Sequence, residues 1–122
     1  MSNEGYHEPA ASLDETTREI HRALTSLMEE LEAVDWYQQR IVATSDEELR
    51  QILAHNRDEE KEHAAMVLEW LRRRDAHLDA QLRAYLFTEG DVTEIEDENT
   101  TPPGSGDGSL GIGTLRSKEK NK

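Results

Sequence analysis

Two helix-start signals lie far apart in this chain, and no glycine or proline interrupts the sequence between them. Ser12–Glu15 (SLDE) and Ser45–Glu48 (SDEE) each have the form of a capping box. In this motif, a Ser hydroxyl and a Glu carboxylate satisfy free backbone amides at a helix N-terminus. Nothing breaks a helix from the first box to about Val42, and residues 43–46 make a short connection. The sequence therefore predicts two long helices in an antiparallel hairpin.

Apolar residues recur along both segments at the spacing of a helix face that packs against another helix. The first segment carries Leu13, Ile20, Leu24, Leu27, Leu31, Val34 and Ile41, and the second carries Leu49, Ile52, Leu53, Val67, Trp70 and Leu71. Arg72–Arg74 suit the negative end of a helix dipole. Residues 75–88 form a third short helix or a continuation, with Leu78, Leu82, Tyr85 and Leu86 on its apolar face. The fold class is all-α.

The composition restricts the possible partners. The chain has 122 residues and a formal net charge of −13, which disfavours binding to nucleic acid or anionic lipid and attracts metal cations. It has no cysteine, which excludes disulfides, zinc–thiolate sites and iron–sulfur clusters. We expect no membrane segment and no secretory signal. Only 34% of residues are hydrophobic, so a single copy would bury too little apolar surface, and we expect oligomerisation.

The pattern divides the chain into four parts. We expect residues 1–11 to form a flexible N-terminal arm and residues 12–90 to form the helical domain. Residues 91–107 are acidic and hold two prolines and two glycines, which predicts a disordered linker. Residues 108–122 begin with apolar residues separated by glycines (GSLGIGTL), which is typical of a docking peptide.

Glu60 and His63 are titratable residues that the helical pattern directs toward the core. Because each residue advances about 100° around a helix, both fall within about 40° of Leu49. Polar groups aimed at a core need partners, and a Glu-x-x-His pair on a bundle helix commonly binds a metal ion. A buried Glu60–His63 ion pair is the alternative, but it leaves Glu30 unexplained. The same stripe includes Leu53, Asn56, Val67 and Leu71.

Glu30 belongs to the first helix, about 80° from the centre of its apolar stripe. We interpret its flank as a second packing surface, which holds Ala23, Ala33, Tyr37 and Ile41. Together with Glu60 and His63, Glu30 favours a metal site.

Four further candidates have simpler alternative interpretations. Glu29 and Glu32 point away from the hairpin core and fit a solvated helix face equally well. Trp36 and Tyr37 are more often packing residues than catalytic ones. A fifth residue, His55, fits an ordinary surface position.

The ligands amount to half of a known arrangement. Di-iron bundles use a Glu from each of two helices and a Glu-x-x-His from each of two others. This chain supplies one of each, so two copies related by a two-fold axis would complete the site. Carboxylate and imidazole ligands suit Fe(II) or Mn(II), and they also bind Zn(II).

Three core segments and the tail resemble one family, the encapsulated ferritins, which are ferritin-like cargo proteins of encapsulin nanocompartments. The segments are MEELEAVDWYQQR (28–40), LAHNRDEEKEHAAMVLEWLRRRDA (53–76) and YLFTEGDVTEIE (85–96). GSLGIGTLR (108–116) resembles the peptide that binds the inner wall of the shell. The resemblance covers most of residues 12–96 and the tail.

The resemblance implies a half-ferritin hairpin that dimerises into a four-helix bundle, with dimers in a ring that is typically a decamer. It implies a ferroxidase with iron (Fe²⁺/Fe³⁺) at a di-iron site made by Glu30, Glu60 and His63 of both subunits. Tyr37 lies near that site. It also implies a secondary entry site that uses Glu29 and Glu32, near Trp36, with His55 as a further ligand. The implied partner is encapsulin, bound through Leu110–Arg116, and the implied location is cytoplasmic, inside the nanocompartment.

Two other classes compete with an iron-oxidising enzyme. One is a non-enzymatic helical-hairpin interaction or metal-binding module, docked by its tail, in which the buried Glu and His fix the helix register. The other is a carboxylate-bridged oxidoreductase of the rubrerythrin type, which the lack of a Cys-x-x-Cys motif disfavours.

Overall fold

Four α-helices and one short 3₁₀ helix make up the described part of the chain. The computed structural model describes residues 5–99, and their side chains to residue 95. These residues fall into two compact units that divide between Leu71 and Arg72. The α-helices are α1 (Glu15–Ala43), α2 (Glu47–Arg74), α3 (Ala76–Tyr85) and α4 (Val92–Asn99), and the 3₁₀ helix is Ala10–Ser12. The predicted all-α hairpin with a third helix is confirmed, and α3 is separate from α2.

Aspartates, not serines, cap the N-termini of α1, α2 and α3. The carboxylates of Asp14, Asp46 and Asp75 each accept a hydrogen bond from the backbone N–H three residues later, at 2.8–2.9 Å. Capping by Ser12 and Ser45 was therefore the wrong prediction. A carboxylate is a charged acceptor at the positive end of the helix dipole, which explains why Asp takes this position from a neighbouring Ser.

Arg50 closes the connection between α1 and α2. Its guanidinium donates to the backbone carbonyls of Ile41, at 3.2 Å, and of Thr44. It also pairs with the Glu47 carboxylate. The last carbonyls of α1 lack helical partners, so one side chain of α2 satisfies two groups that the helix end leaves free. These contacts hold the C-terminal end of α1 against the first turns of α2.

The arc of α1 that faces α2 differs from the predicted one. Glu30 lies against α2, where its carboxylate is 3.4 Å from the His63 ring. Leu24, Met28 and Leu31 are instead exposed, at 44%, 61% and 54%. Our assignment of the Glu30 flank to a second packing surface was therefore wrong. The residues of α1 that are half-buried include Ile20, Ala23, Leu27, Glu30, Ala33, Val34, Tyr37 and Ile41.

The hairpin alone buries little. Within the described residues, Ala64 and Leu71 are the buried apolar side chains. Apolar side chains of α2 are exposed as well as those of α1. The exposed fractions of Leu49, Ile52 and Met66 are 43–59%. Exposed apolar surface of this extent on two helices is typical of an interaction surface. The expectation that one copy cannot build a sufficient core agrees with these exposures.

The start of the chain contacts α1. The rings of Tyr6 and His21 lie 4.7 Å apart, and the Arg18 guanidinium donates to the Ala10 carbonyl at 2.6 Å. Gly5 has φ +87°, and a Cβ there would come within 2.8 Å of the His21 ring. Residues 5–11 therefore differ from the loose arm that the sequence predicts, because a ring contact and a charged hydrogen bond hold them.

In the second unit, α3 contacts α4. Asp79 of α3 pairs with Arg72 and, at 2.9 Å, with Arg83. α4 lies inside the predicted disordered linker, so the structure differs from that prediction over Val92–Asn99. The Asp91 carboxylate accepts hydrogen bonds from the Thr93 backbone and hydroxyl, which orders the start of α4.

The rest of the predicted linker (100–107) and the predicted targeting tail (108–122) lie outside the described residues. Between residues 5 and 99, no helix combines the length and hydrophobicity that a membrane span requires.

Candidate metal centre

Glu30, Glu60 and His63 meet between α1 and α2. His63 Nδ1 lies 3.4 Å from Glu30 Oε1 and 3.4 Å from Glu60 Oε1. One ligand atom from each residue lies within 4.8 Å of the other two. The three side chains are 23–41% exposed, so the cluster is half-buried in the single chain. The structure thus brings together the three residues that the sequence singled out.

The cluster holds two carboxylates whose negative charges repel each other. A hydrogen bond that the Glu30 carboxyl donates to Glu60 raises the pKa of Glu30, because it stabilises the protonated form. Burial and the negative charge of Glu60 raise it further, against the opposite effect of His63. Burial acts to lower the pKa of His63, but the charge of Glu30 and the hydrogen bond to Glu60 outweigh it, so this pKa is raised. The two carboxylates would therefore stabilise a positive charge placed in the cluster.

The donor set fits a divalent metal ion. Two carboxylate oxygens and one imidazole nitrogen, without thiolate, suit first-row divalent metals. A cation at this position would relieve the repulsion that raises the pKa of Glu30. Three protein ligands leave coordination positions open, as in sites where a substrate binds. Because His63 presents Nδ1 to both carboxylates, Nδ1 is the nitrogen placed to bind the metal.

Tyr37 lies on the same side of α1 as Glu30 but outside the three-residue cluster. It is half-buried, and the Arg40 guanidinium lies 5.5 Å from its ring centroid. Among residues 5–99, its hydroxyl has no hydrogen-bond partner. A direct part for Tyr37 in metal binding stays a prediction.

The other candidate residues lie on exposed surfaces. Glu29 and Glu32 are exposed and do not join the cluster. Trp36 is 49% exposed and lines an open cavity with Gln39 and Arg40. His55 is also exposed, and its Nε2 lies 3.4 Å from the Glu59 carboxylate. Their predicted role in a secondary site stays a prediction.

Sequence reasoning missed one cross-helix contact near the site. The Arg57 guanidinium donates to the Gln38 side-chain oxygen at 2.7 Å and also contacts Asp58. The sequence carried no clear signal for this contact, because Arg57 lies about 80° from the centre of the apolar stripe of α2. This bond joins α1 and α2 near Glu60.

Comparison with known proteins places the chain in a family. The model of the EncFtn-like family matches residues 5–89. The encapsulated ferritin-like protein of Rhodospirillum rubrum is 58% identical over 127 residues, covering 95% of this chain and 91% of that protein. The ferritin-like protein of Thermotoga maritima is 56% identical, over 90% of this chain and 96% of that protein. The chain therefore belongs to the EncFtn-like family, which confirms the resemblance predicted from the sequence.

Two further matches agree with this assignment. The encapsulin nanocompartment cargo protein EncC of Myxococcus xanthus is 38% identical over 62% of each chain. The crystal structure of protein ne0167 from Nitrosomonas europaea is 61% identical and has a TM-score of 0.70. It matches 71% of this chain and 96% of that one. The fold and the family together define a ferritin-like protein built on a helical hairpin.

Proposed function

We propose that this protein is a ferroxidase that oxidises Fe(II) to Fe(III) with dioxygen at a di-iron site formed between two copies of the chain. The observation that carries the proposal is the cluster of Glu30, Glu60 and His63, whose ligand atoms lie within 4.8 Å of one another. Fe(II) is the substrate and dioxygen accepts its electrons. The ferritin-like family of the chain supports iron as the metal.

The need for a second copy follows from the ligand count and from the exposed surface. One chain provides two carboxylates and one imidazole, which is half of the set that di-iron bundles use. The same chain leaves Leu49 and Ile52 of α2 exposed at 43% and 52%. A two-fold axis would double the ligands and cover apolar surface in one step. The complete centre then has four carboxylates and two imidazoles.

Each ligand has a distinct part in the chemistry. Hard carboxylate oxygens stabilise Fe(III) relative to Fe(II), which favours oxidation. Glu30 and Glu60 supply these oxygens. His63 supplies a neutral nitrogen through Nδ1, so the ligand set does not become too negative for Fe(III) to leave as product. The His63 side chain is 41% exposed in the single chain, so this face is available to the second copy.

Glu29 and Glu32 have a separate proposed role as an entry site. Both are exposed acids on the same helix as Glu30, so they would raise the local concentration of Fe(II) near the centre. Trp36 lies one turn beyond Glu32 on the same helix. His55 with Glu59 is a further candidate ligand pair.

We also infer that the protein works as cargo inside an encapsulin shell in the cytoplasm, as dimers arranged in a ring of about ten chains. The relative from Myxococcus xanthus carries the name of an encapsulin nanocompartment cargo protein. The apolar–glycine tail, Leu110–Arg116, is the proposed shell-binding segment. Iron oxidised by the ring would then be stored in the lumen of the shell.

The decisive experiment removes the ligands. Glu30→Ala, Glu60→Ala and His63→Ala, made singly and together, should each remove most Fe(II) oxidation, measured by the absorbance of Fe(III) and by oxygen consumption. Helicity measured by circular dichroism should be retained. Asp79→Ala, which removes a carboxylate of the second unit, serves as the matched control. A triple variant that oxidises Fe(II) at the wild-type rate would sink the proposal.

The main competitor is a non-enzymatic helical module in which the polar cluster fixes the helix register. The 3.4 Å contact between Glu60 and His63 is the observation in its favour. This alternative predicts dimers of equal stability in EDTA and in metal. Native mass spectrometry that shows metal-dependent assembly would exclude it.

The tail is tested separately. Deletion of residues 108–122 should leave Fe(II) oxidation intact and abolish loading into a co-expressed encapsulin shell. Co-purification of the truncated chain with the shell would contradict the proposed docking segment.

A further inference from the structure

Asn56 is a core-facing polar residue that the ligand set does not use. It is half-buried on α2, and within residues 5–99 its carboxamide makes no hydrogen bond. A carboxamide has two donor hydrogens and an acceptor oxygen, and burial without partners is unfavourable. In the single chain the amide atoms of Asn56 are not buried and water reaches them, so any surface that covers them must supply a partner.

The helix register identifies that group. The contact between Glu30 and His63 shows which residues lie opposite each other at the metal centre. Tyr37 follows Glu30 by seven residues, and Asn56 precedes His63 by seven residues. Seven residues make about two helical turns and leave a rotation of only about 20°. Tyr37 therefore lies on the same face of α1 as Glu30, and Asn56 lies on the same face of α2 as His63. Tyr37 and Asn56 thus lie opposite each other, two turns from the centre.

A neighbouring contact supports this register. Gln38 and Arg57, the residues that directly follow Tyr37 and Asn56, are joined by a 2.7 Å hydrogen bond across the two helices. The helices are therefore side by side at this level. The Tyr37 ring is held from its own helix by the Arg40 guanidinium at 5.5 Å, while its hydroxyl has no partner among residues 5–99.

We propose that Asn56 is a positioning residue whose carboxamide hydrogen-bonds the Tyr37 hydroxyl and fixes its orientation. The bond forms when a second copy covers this face and excludes the water that now competes for both groups. This inference rests on the proposed function for its catalytic consequence, because an oriented phenol matters only where the centre reacts. The hydrogen bond itself does not depend on iron chemistry.

The first test measures the hydrogen bond without activity. In the assembled, metal-free protein, the side-chain amide protons of Asn56 should exchange with solvent more slowly by NMR than those of the exposed Gln81. Tyr37→Phe removes only the hydroxyl and should abolish this protection. Equal exchange of the Asn56 protons in the wild type and in Tyr37→Phe would overturn the proposal.

The second test separates positioning from packing. Asn56→Leu keeps the size of the side chain but removes its hydrogen bonds, and Gln81→Leu is the control at an exposed amide. Asn56→Leu should slow Fe(II) oxidation about tenfold, the lower end of the effect of residues that orient a metal site. Its affinity for Zn(II), which is not oxidised, should stay unchanged. Rates that match the wild type would count against the proposal.

A double-variant cycle completes the test. If Asn56 acts through the phenol, Asn56→Leu combined with Tyr37→Phe should be no slower than Tyr37→Phe alone. Multiplied rate losses would show independent roles and overturn the inference. Absence of Fe(II) oxidation in the wild type would instead refute the proposed function, while the exchange experiment would still decide the hydrogen bond.

Discussion

Two polar clusters of this protein have opposite electrostatics. Glu30 and Glu60 face each other with only His63 between them, and the pKa of Glu30 is raised, first by the hydrogen bond that it donates to Glu60. Asp79 instead lies between Arg72 and Arg83, and the hydrogen bond from Arg72 is the largest cause of its lowered pKa. The first cluster lacks positive charge, whereas the second already contains it.

The difference separates a binding site from a structural contact. A carboxylate that two guanidinium groups neutralise has no reason to attract a metal ion. Two carboxylates that share a half-buried site without a fixed cation are destabilised until one arrives. The geometry of the two clusters distinguishes them. Two carboxylates and an imidazole bring ligand atoms within 4.8 Å of one another at the first, whereas two arginines pair with Asp79 at the second. The first predictions below change one cluster and use the other as the reference.

Metal affinity should show the largest contrast. Glu60→Ala should weaken Zn(II) or Mn(II) binding by more than about 100-fold, because loss of a ligand exceeds the 10- to 100-fold effect of residues behind the ligands. Asp79→Ala should leave the affinity unchanged. Isothermal titration calorimetry on both variants measures the difference, and a similar loss in both would remove the distinction between the clusters.

The stability of the metal-free protein should change in opposite directions. Glu30→Gln removes one of two opposed charges and lets an amide donate to Glu60. It should raise the Tm in EDTA by about 2–4 °C, or about 0.5 kcal/mol, since the Glu30 side chain is 26% exposed and its charge is partly screened. Asp79→Asn should lower the Tm. Differential scanning calorimetry checks both signs, and a lower Tm for Glu30→Gln would contradict the proposed repulsion.

The pH dependence of stability should also differ in sign. The pKa of Glu30 is raised above 4.5 in the folded state, so its contribution is fullest below 4.5 and is lost as pH rises through the folded pKa. The raised pKa of His63 acts in the same direction above 6.5. The pKa of Asp79 is lowered below 3.8, so its contribution is present above 3.8 and is lost as pH falls through the folded pKa.

Urea unfolding in EDTA across this range tests that difference. Glu30→Gln should flatten the loss of stability that accompanies a rise in pH above 4.5. Asp79→Asn should change the curve only on its acid side. If Glu30→Gln leaves the slope above pH 4.5 as in the wild type, the carboxylates do not oppose each other in solution.

The smallest effect is expected from the exposed acids. Glu29→Gln and Glu32→Gln should change Zn(II) affinity at the main centre by no more than about twofold, the range of ordinary surface substitutions. If these residues form the entry site, the same variants should slow Fe(II) oxidation at low iron and recover at high iron. Stopped-flow measurements across iron concentration distinguish this pattern from a uniform loss.

The sequence predicted which polar residues meet between α1 and α2 better than the surfaces around them. Glu60 and His63 could be assigned because both fall in the middle of an apolar stripe, where a charged group needs an explanation. The position of Glu30 was harder, because the pattern of α1 has apolar residues on two arcs. Only the contact with His63 shows which arc faces α2.

Two local errors have a common cause. Asp46 caps α2 where Ser45 was expected, and α4 forms where an acidic linker was expected. In both places an aspartate carboxylate satisfies backbone amides at a helix start, as Asp91 does for α4. The prediction from composition treated these acids as solvated charges. Because they directly precede a helix, they instead accept hydrogen bonds from its first backbone amides.

Arg50 has a consequence for the order of folding. Its contacts with Ile41 and Thr44 span only nine and six residues of sequence, so they can form early and within one chain. The two helices are then aligned before any collision with another molecule. Under the proposed function, each newly folded chain carries a preformed half-site, and completion of the site is a second-order reaction. Dilution should then slow the appearance of activity in freshly refolded protein even when helicity has already recovered.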